Sequence, residues 1–301
     1  MVPTATPANL IETHALGKHY PAFTLSDINL TVAPGEIVGF IGMNGAGKTT
    51  TIKCILGLTP YDSGASNLLG EESFSTSTGP AARVKEDVGV VFDTVAISTE
   101  SRLSDIDRTF GIAYRNWDSD RFLSYIDRFG LSTMKNVGSL SRGMGMKLSL
   151  ACALSHHACL LVLDEATAGL DPIVRDEILD ILRDFVADSE RGILMSSHIT
   201  TDLERIADRI VCIHEGRIVF DLPKDQITDV QGIARCRAAD LDRITAASII
   251  SAGQLRYLAH DYGIDVLVPD RQTFTQTFPD IPCDRMSIDD YLALILKGGV
   301  R

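Results

Sequence analysis

Residues 36–50 read EIVGFIGMNGAGKTT, and this stretch decides the fold of the chain. Its apolar first part has the composition of a buried strand in a parallel sheet, and a helix is predicted from Lys48 to about Gly57. Between strand and helix, residues 42–49 fit the pattern G-x-x-x-x-G-K-[ST]. In this pattern the glycines let backbone amides curl around a phosphate, and the helix N-terminus adds positive potential. The stretch therefore predicts a nucleotide-phosphate site at the end of a buried strand.

The same loop assigns chemical roles to two of its side chains. Lys48 can reach the β- and γ-phosphates of a nucleotide, and the Thr49 hydroxyl can bind Mg²⁺. The loop by itself does not separate ATPases, GTPases and kinases. The candidate nucleotide-binding residues of this stretch are Gly42, Met43, Asn44, Gly45, Ala46, Gly47, Lys48, Thr49 and Thr50.

Around the loop, predicted strands and helices alternate, which indicates an α/β fold with a mostly parallel sheet covered on both faces. Strand-like runs at 11–18 and 23–32 precede the loop, residues 63–80 are predicted as loop, and a helical insertion is predicted at about 81–140. The elements predicted downstream are a helix at 142–155, a strand at 159–164, a helix at 172–187, a strand at 192–197, a helix at 201–208 and a hairpin at 209–220. We expect residues 1–221 to form one α/β domain and residues 222–301 a small C-terminal α+β accessory unit.

Composition narrows the class of protein. The 28 basic and 40 acidic residues leave a net charge of −12, which argues against a nucleic-acid partner because phosphate backbones are bound by basic faces. The six cysteines show neither CxxC spacing nor a Cys/His metal pattern, so we expect a reduced, cytosolic protein. The N-terminal residues have no signal-peptide pattern, and no run approaches the roughly 18 apolar residues of a membrane span. If the protein serves a membrane process, another chain must supply the membrane part.

A second chemical motif lies downstream, where residues 160–165 read LLVLDE. A buried strand that ends beside the phosphate loop brings Asp164 to the position of a second Mg²⁺ anchor. Glu165 is then placed to orient and deprotonate an attacking water. Three further short motifs surround this strand: LSRGM at 140–144, AGLD at 168–171 and Ser197-His198 after the next predicted strand.

In their order and spacing these five motifs resemble those of the nucleotide-binding domains of ATP-binding cassette (ABC) transporters. The resemblance covers about residues 10–220, and within the family the chain most resembles the single-cassette ATPase subunits of bacterial exporters. It implies a P-loop NTPase fold, with a mostly parallel sheet, an antiparallel β subdomain and a helical insertion. It also implies ATP and Mg²⁺ as cofactors.

The resemblance assigns further residues to the site. Tyr20 matches the aromatic residue that stacks on adenine, although a tyrosine at a strand end can equally be a surface residue. Ser141 and Gly143 match the residues that complete the ATP site of the opposite subunit, and Asp171 matches one that joins the two subunits. His198 matches the residue that contacts the γ-phosphate. The implied catalytic residues are Glu165, His198 and Lys48, and the implied metal ligands are Thr49, Asp164 and Asp93.

Three positions depart from the family pattern. Asp93 stands where the family has a glutamine that binds the metal and its water, so its role is open between a metal contact and a solvent-facing residue that caps a helix. The motif at 140–144, the family's signature motif, reads LSRGM instead of LSGGQ but keeps the serine and the second glycine. Ala166 replaces the proline that usually follows the catalytic glutamate.

Partners and location follow from the resemblance alone. It implies a second nucleotide-binding subunit, identical or related, and one or more transmembrane permease subunits. The expected location is the cytoplasmic face of the cell membrane, as a peripheral subunit that is soluble when isolated. The alternatives are a soluble ABC-type ATPase that acts on ribosomes or DNA, and a regulatory cassette. A GTPase is disfavoured because the chain contains no N-K-x-D motif.

Overall fold

A computed structural model of the protein describes residues 8–74, 83–247 and 255–300. The chain divides into two compact units, Met1–Asp221 and Leu222–Arg301. The strands of the first unit are β1 (Ile11–Tyr20), β2 (Phe23–Ile28), β3 (Thr31–Val32), β4 (Ile37–Ile41), β5 (Ser63–Leu68), β6 (Glu71–Glu72), β7 (Val88–Val91), β8 (Leu160–Asp164), β9 (Gly192–Ser196), β10 (Arg209–His214) and β11 (Arg217–Pro223). Its helices are α1 (Lys48–Ile55), α2 (Leu103–Ala113), α3 (Ser119–Arg128), α4 (Arg142–Leu154), α5 (Pro172–Val186) and α6 (Thr200–Ile206), with 3₁₀ turns at Lys85–Asp87 and Val137–Ser139.

The central layer is a six-stranded sheet in the order β11-β10-β4-β9-β8-β7. The pairs β10–β4, β4–β9, β9–β8 and β8–β7 are all parallel. Every residue of β4, β8 and β9 is buried, which explains why these strands are continuous apolar runs without alternation. The carboxyl ends of these strands therefore meet at one edge of the sheet, where the motif residues follow them.

A second sheet is antiparallel and has the order β2-β1-β5-β6, with β3 also paired to β1. Leu16, Leu25 and Ile28 from this sheet share one buried core with Phe40 and Val38 of β4. Together the two sheets give the antiparallel β layer and the parallel layer that the resemblance implies. The α/β fold class predicted from the sequence is confirmed.

The helices lie where the sequence places caps and apolar stripes. Asp171 caps α5 by accepting a 3.0 Å hydrogen bond from the Val174 amide, and Pro172 occupies the first turn, where its missing N–H costs nothing. The buried face of α5 carries Ile178, Leu179, Ile181, Leu182 and Phe185. None of the helices in the described ranges combines the length and apolar character that a membrane span requires.

Three segments differ from the sequence-based prediction. Residues 63–80 were predicted as loop, but Ser63–Leu68 is a strand in which Leu68 pairs with Ile11 of β1. Ser66 and Leu68 are buried alternately, but the polar composition of the segment gives no apolar alternation that would predict this. Residues 75–80 of that range lie outside the described residues. Residues 88–91 were predicted within the helical insertion, but they form β7, because the neighbouring strand β8 supplies parallel partners such as Leu160 for Val88. The predicted strand at 23–32 is divided, since β2 and β3 pair with different parts of β1.

The second unit is an antiparallel sheet with helices packed on it. Its elements are a π-helical turn at Gln226–Val230, β12 (Gly232–Cys236), α7 (Ala238–Ala246), β13 (Arg256–His260), β14 (Gly263–Val268), α8 (Arg271–Thr277), β15 (Cys283–Arg285), α9 (Ile288–Lys297) and β16 (Gly299–Val300). The strand order is β15-β12-β14-β13-β16. From β12 to β15 the elements follow the β-α-β-β-α-β order of the ferredoxin-like arrangement. Ile244, Val266 and Phe274 are fully buried in its core.

Candidate nucleotide site

The phosphate loop connects β4 to α1 at the edge of the parallel sheet. Gly42 is packed so closely that a Cβ there would lie 2.4 Å from the backbone oxygen of Ile213, so no larger residue fits without moving β10. Gly47 caps α1 with φ 117°, a backbone conformation that residues with side chains rarely adopt. The two glycines thus hold the loop against the sheet and turn it into the helix.

The loop borders two adjoining cavities. One, of about 490 Å³, is lined by Ala22, Phe23, Met43, Asn44, Gly45, Gly47, Lys48, Thr49, Thr50 and Glu165. The other, of about 550 Å³, is lined by Ala22, Phe23, Thr24, Ser26, Met43, Asn44, Gly45, Ala46, His214, Glu215 and Arg217. All nine predicted loop residues except Gly42 therefore line one or both cavities.

Lys48 is buried at the base of the loop, with 6% of its surface exposed. Its ammonium donates a 2.7 Å hydrogen bond to the Gly42 carbonyl and lies 3.3 Å from Oε1 of Glu165. The positive charge is thus balanced by the carboxylate of a different motif. An anion in the loop can take over this contact without a large movement of the lysine side chain.

Asp164 lies at the end of β8 and is 3% exposed. The Thr49 hydroxyl donates to its Oδ2 at 2.8 Å, and the Ser196 hydroxyl donates to its Oδ1 at 2.6 Å. Both carboxylate oxygens are therefore held in a fixed orientation. Thr49 and Asp164 present two adjacent oxygen ligands at the end of the loop, which fits Mg²⁺, an ion that takes few protein oxygens and completes its shell with phosphates and water.

Glu165 follows in an unusual backbone conformation for a residue with a side chain, with φ 55°. Its amide donates to the Ser196 carbonyl at 3.1 Å, which fixes the turn. Its Oε2 lies 2.5 Å from Nδ1 of His198. Because a carboxylate can only accept, Nδ1 carries the proton of this bond. The sheet thus joins Lys48, Glu165 and His198 into one chain of contacts, although they come from three separate motifs.

Ser141, Gly143 and Asp171 lie away from this chain. Ser141 and Asp171 are exposed helix N-caps, which accept from the Met144 amide at 3.3 Å and from the Val174 amide at 3.0 Å. A Cβ at Gly143 would lie 3.5 Å from a methyl of Leu170, so the two segments are neighbours. None of the three lines either cavity. Within one copy of the chain, these residues are not part of the phosphate site.

The roles predicted for Tyr20 and Asp93 remain predictions. Tyr20 is 38% exposed and lines neither cavity, whereas its cross-strand partner Phe23 lines both. Asp93 is exposed and follows β7, whose Val91 pairs with Leu163, so it leaves the sheet at the same edge as Asp164. Among the helices of the described ranges, none has Asp93 as its N-cap, and this removes the support for a capping role.

Sequence reasoning missed two residues of the site. Ser196, which orients Asp164, was noted only as part of a strand, yet its place at the carboxyl end of the strand beside β8 is a usable signal. Phe23 was missed because the aromatic match fell on Tyr20, three residues earlier.

Comparison with known proteins agrees with the geometry. Residues 25–168 match the family model described as ABC transporter. The bacitracin transport ATP-binding protein BcrA of Bacillus licheniformis is 35% identical over 73% of this chain and 72% of its own length. The Nod factor export ATP-binding protein I of Sinorhizobium fredii is 33% identical, and the methionine import ATP-binding protein MetN of Brucella abortus is 31% identical. The alignments with these two cover 65% and 62% of their own lengths, under two thirds.

Solved structures give the same result. The structure of an ATP-binding subunit of an ABC transporter superposes with a TM-score of 0.66 at 30% identity, over 72% of this chain and 91% of that one. A dimeric ATP-binding cassette bound to ADP and phosphate superposes with a TM-score of 0.65 at 18% identity, over 71% of this chain and 98% of that one, and shows the fold alone. With the phosphate loop, the two acids and the histidine assembled at one sheet edge, the chain belongs to the ABC transporter family, as an ATP-binding and ATP-hydrolysing subunit.

Proposed function

We propose that two copies of this chain, or this chain and a relative, close head-to-tail around two ATP molecules and so power a separate transmembrane permease that exports its substrate. The observation that carries the catalytic part is the contact chain from Lys48 through Glu165 to His198, with Thr49 and Asp164 beside it. Export is favoured by the higher identity of the bacitracin and Nod factor relatives over the methionine importer. The proposed location is the cytoplasmic face of the cell membrane.

Nucleotide binding begins with an exchange of partners at Lys48. The lysine releases Oε1 of Glu165, 3.3 Å away, and binds the β- and γ-phosphates with the backbone amides of residues 42–49. Thr49 and Asp164 would hold Mg²⁺, which would supply positive charge to the phosphates when bound. Phe23 lines both cavities beside the loop and Tyr20 is its cross-strand partner, and we propose that one of them stacks on adenine.

Once Lys48 turns to the phosphates, the carboxylate of Glu165 is free to accept a proton from water. His198 keeps its hydrogen bond to Oε2 and holds the carboxylate in place, and its ring is proposed to contact the γ-phosphate as well. Glu165 is the general base in this scheme. Lys48 and His198 engage the two oxygens of this base, so the base becomes available when phosphate draws Lys48 away.

The second subunit enters because Ser141 and Asp171 are exposed, Gly143 is half-buried, and all three lie outside the cavities of their own chain. Ser141 and Gly143 sit at the N-terminus of α4, where backbone amides and the helix dipole favour an anion. In a head-to-tail dimer this helix end closes the ATP site of the opposite subunit. Asp171 then helps to hold the two subunits together.

The catalytic proposal is tested by Glu165→Gln, which removes the charge and keeps the shape. A general base contributes about 10²–10⁴-fold, so turnover should fall by that factor while ATP binding persists, because Lys48 no longer has to leave a charged partner. Glu177→Gln is the matched control: Glu177 also pairs with a lysine, Lys147, at 2.9 Å, but lies outside the cavities. Near-normal hydrolysis by Glu165→Gln would exclude Glu165 as the base.

The head-to-tail arrangement is tested by mixing two inactive variants. Lys48→Ala damages the loop, and Ser141→Arg blocks the helix end that faces the opposite loop. A mixed dimer carries both lesions in one site and leaves the other intact, so activity should return on mixing. Full activity of Ser141→Arg alone, at any protein concentration, would rule out a shared site.

A further inference from the structure

A buried polar cluster lies next to the catalytic turn and takes no part in the scheme above. It consists of Thr167, Arg175 and Asp202, from the turn after Glu165, the first turn of α5 and the first turn of α6. Thr167 is fully buried and Asp202 is 3% exposed. Three segments that carry motif residues therefore converge on one charged pair, in which the Arg175 side chain is 25% exposed and that of Asp202 is buried.

The contacts of this cluster are incomplete. Nε of Arg175 and Oδ2 of Asp202 are 3.9 Å apart, too far for a hydrogen bond. Both atoms are buried, and neither has a hydrogen-bond partner among the described residues; the same holds for the Thr167 hydroxyl. Burial raises the pKa of Asp202, while the Thr167 hydroxyl and the Arg175 guanidinium lower it. The Thr167 hydroxyl is close to the carboxylate, but its geometry does not make a hydrogen bond.

Such an arrangement is unfavourable in energy, because a buried charge is stabilised only when its hydrogen bonds are satisfied. A charge-assisted hydrogen bond has a length of about 2.7–2.9 Å, so an approach of about 1 Å would satisfy both atoms at once. A better arrangement of the same two side chains is thus close at hand. The two side chains are thus spaced for a second, closer arrangement.

Each partner is tied to a different functional segment. Nη2 of Arg175 donates to the Leu170 carbonyl at 3.3 Å, directly before Asp171. Asp202 lies on α6, which begins two residues after His198, and the turn between them is fixed by the Ile199 amide, which donates to the Ser197 hydroxyl at 2.9 Å. Closing the pair therefore moves the Asp171 segment and the His198 segment toward each other.

We propose that Arg175 and Asp202 are positioning residues, which close to a hydrogen-bonded pair in the ATP-loaded dimer. Closure sets His198 and Glu165 in position relative to residues 168–171, which face the other subunit. The inference rests on the proposed function, because it needs the second subunit to act on the 168–171 segment. When the other subunit approaches the 168–171 segment, the pair passes this movement to Glu165 of the same chain.

The test compares steady-state ATP hydrolysis of Asp202→Asn, Arg175→Lys and the double variant. Asp202→Asn keeps the shape of the side chain and removes a costly buried charge, so the fold should survive. Arg175→Lys keeps the positive charge but loses Nε and the guanidinium nitrogen that donates to the Leu170 carbonyl. We expect each single variant to lower kcat about tenfold, with the KM for ATP within about twofold of the wild type. The double variant should be no slower than the worse single one, since the two residues act as a unit.

The control is Asp176→Asn, because Asp176 and Arg205 form an exposed ion pair between the same two helices. This variant should leave kcat unchanged. Unchanged kcat in Asp202→Asn and Arg175→Lys, purely multiplicative losses in the double variant, or an equal loss in Asp176→Asn would each overturn the inference. Glu165→Gln measured in parallel separates the two proposals: if it is inactive while Asp202→Asn is normal, the catalytic scheme stands and the positioning pair fails.

Discussion

Replacement of Ser196 by alanine should weaken both the fold and the metal site. The Ser196 hydroxyl donates to Oδ1 of Asp164 at 2.6 Å, in a position where serine is fully buried and aspartate is 3% exposed. The Glu165 amide also approaches this hydroxyl, at 3.2 Å, but it keeps its hydrogen bond to the Ser196 carbonyl after the substitution. The change thus leaves one buried carboxylate oxygen without a donor, while the Glu165 amide loses only the weaker branch of a shared hydrogen bond.

The size of the effect follows from that single lost bond. Hydrogen bonds to charged groups contribute about 1.5–3 kcal/mol, so the free energy of unfolding should fall by about that amount. For a unit of this size, Met1–Asp221, each kcal/mol lowers Tm by about 2–4 °C, which predicts a decrease of roughly 3–12 °C. Asp164 then keeps only the Thr49 hydroxyl, which is itself a proposed Mg²⁺ ligand. Loss of such an orienting partner typically costs about 10–100-fold in metal affinity, and we expect the Mg²⁺ requirement of hydrolysis to rise accordingly.

The assay pairs thermal unfolding without nucleotide with a Mg²⁺ titration of ATP hydrolysis. Ser66→Ala is the matched control, because the Ser66 and Ser73 hydroxyls form a buried 2.9 Å hydrogen bond in the other sheet, between two neutral groups. It should cost about 0.5–1.5 kcal/mol and leave the Mg²⁺ titration unchanged. If Ser196→Ala matches Ser66→Ala in both measurements, the hydrogen bond to Asp164 has no role in the metal site.

Three further predictions address other parts of the chain. Asp93→Asn should raise the Mg²⁺ concentration needed for half-maximal hydrolysis and spare metal-free nucleotide binding; superimposable titrations would leave Asp93 without a metal role. Burial lowers the pKa of His156, whose Nδ1 contacts the Glu86 carbonyl at 2.8 Å, so the neutral ring is favoured in the folded state. The stability contribution of the neutral ring should therefore be full above the unfolded value of about 6.5 and be lost as the pH falls from there through the lower pKa of the folded state. Tm should drop less between about pH 7.5 and pH 5.5 in His156→Gln than in the wild type. Removal of the residues after Leu222 should leave ATP binding intact and change association or activity; a folded truncated protein that no longer binds ATP would contradict a two-domain division.

The sequence determined the parts of the site that depend on short patterns. The phosphate loop between an apolar strand and a helix, the LLVLDE strand and the spacing of the five motifs identified the family and the α/β class, because each pattern is read from neighbouring residues. The same patterns predicted that Lys48, Glu165 and His198 belong to one site. Parallel strands bring their carboxyl ends to one edge, which was enough to place Glu165 beside the loop, whereas His198 was assigned through the family resemblance.

The tertiary structure decided what depends on partners far along the chain. Ser63–Leu68 is polar and becomes a strand because β1 supplies hydrogen bonds, whereas Val88–Val91 has the valine content of a strand and pairs with β8. Ser196 reaches Asp164 of the proposed metal site because β9 lies beside β8, and Arg175 meets Asp202 because α5 and α6 pack together. Local sequence fixes backbone preference and chemical type, whereas the free energy of a buried hydrogen bond or ion pair depends on the group opposite, and only the folded chain determines which group that is.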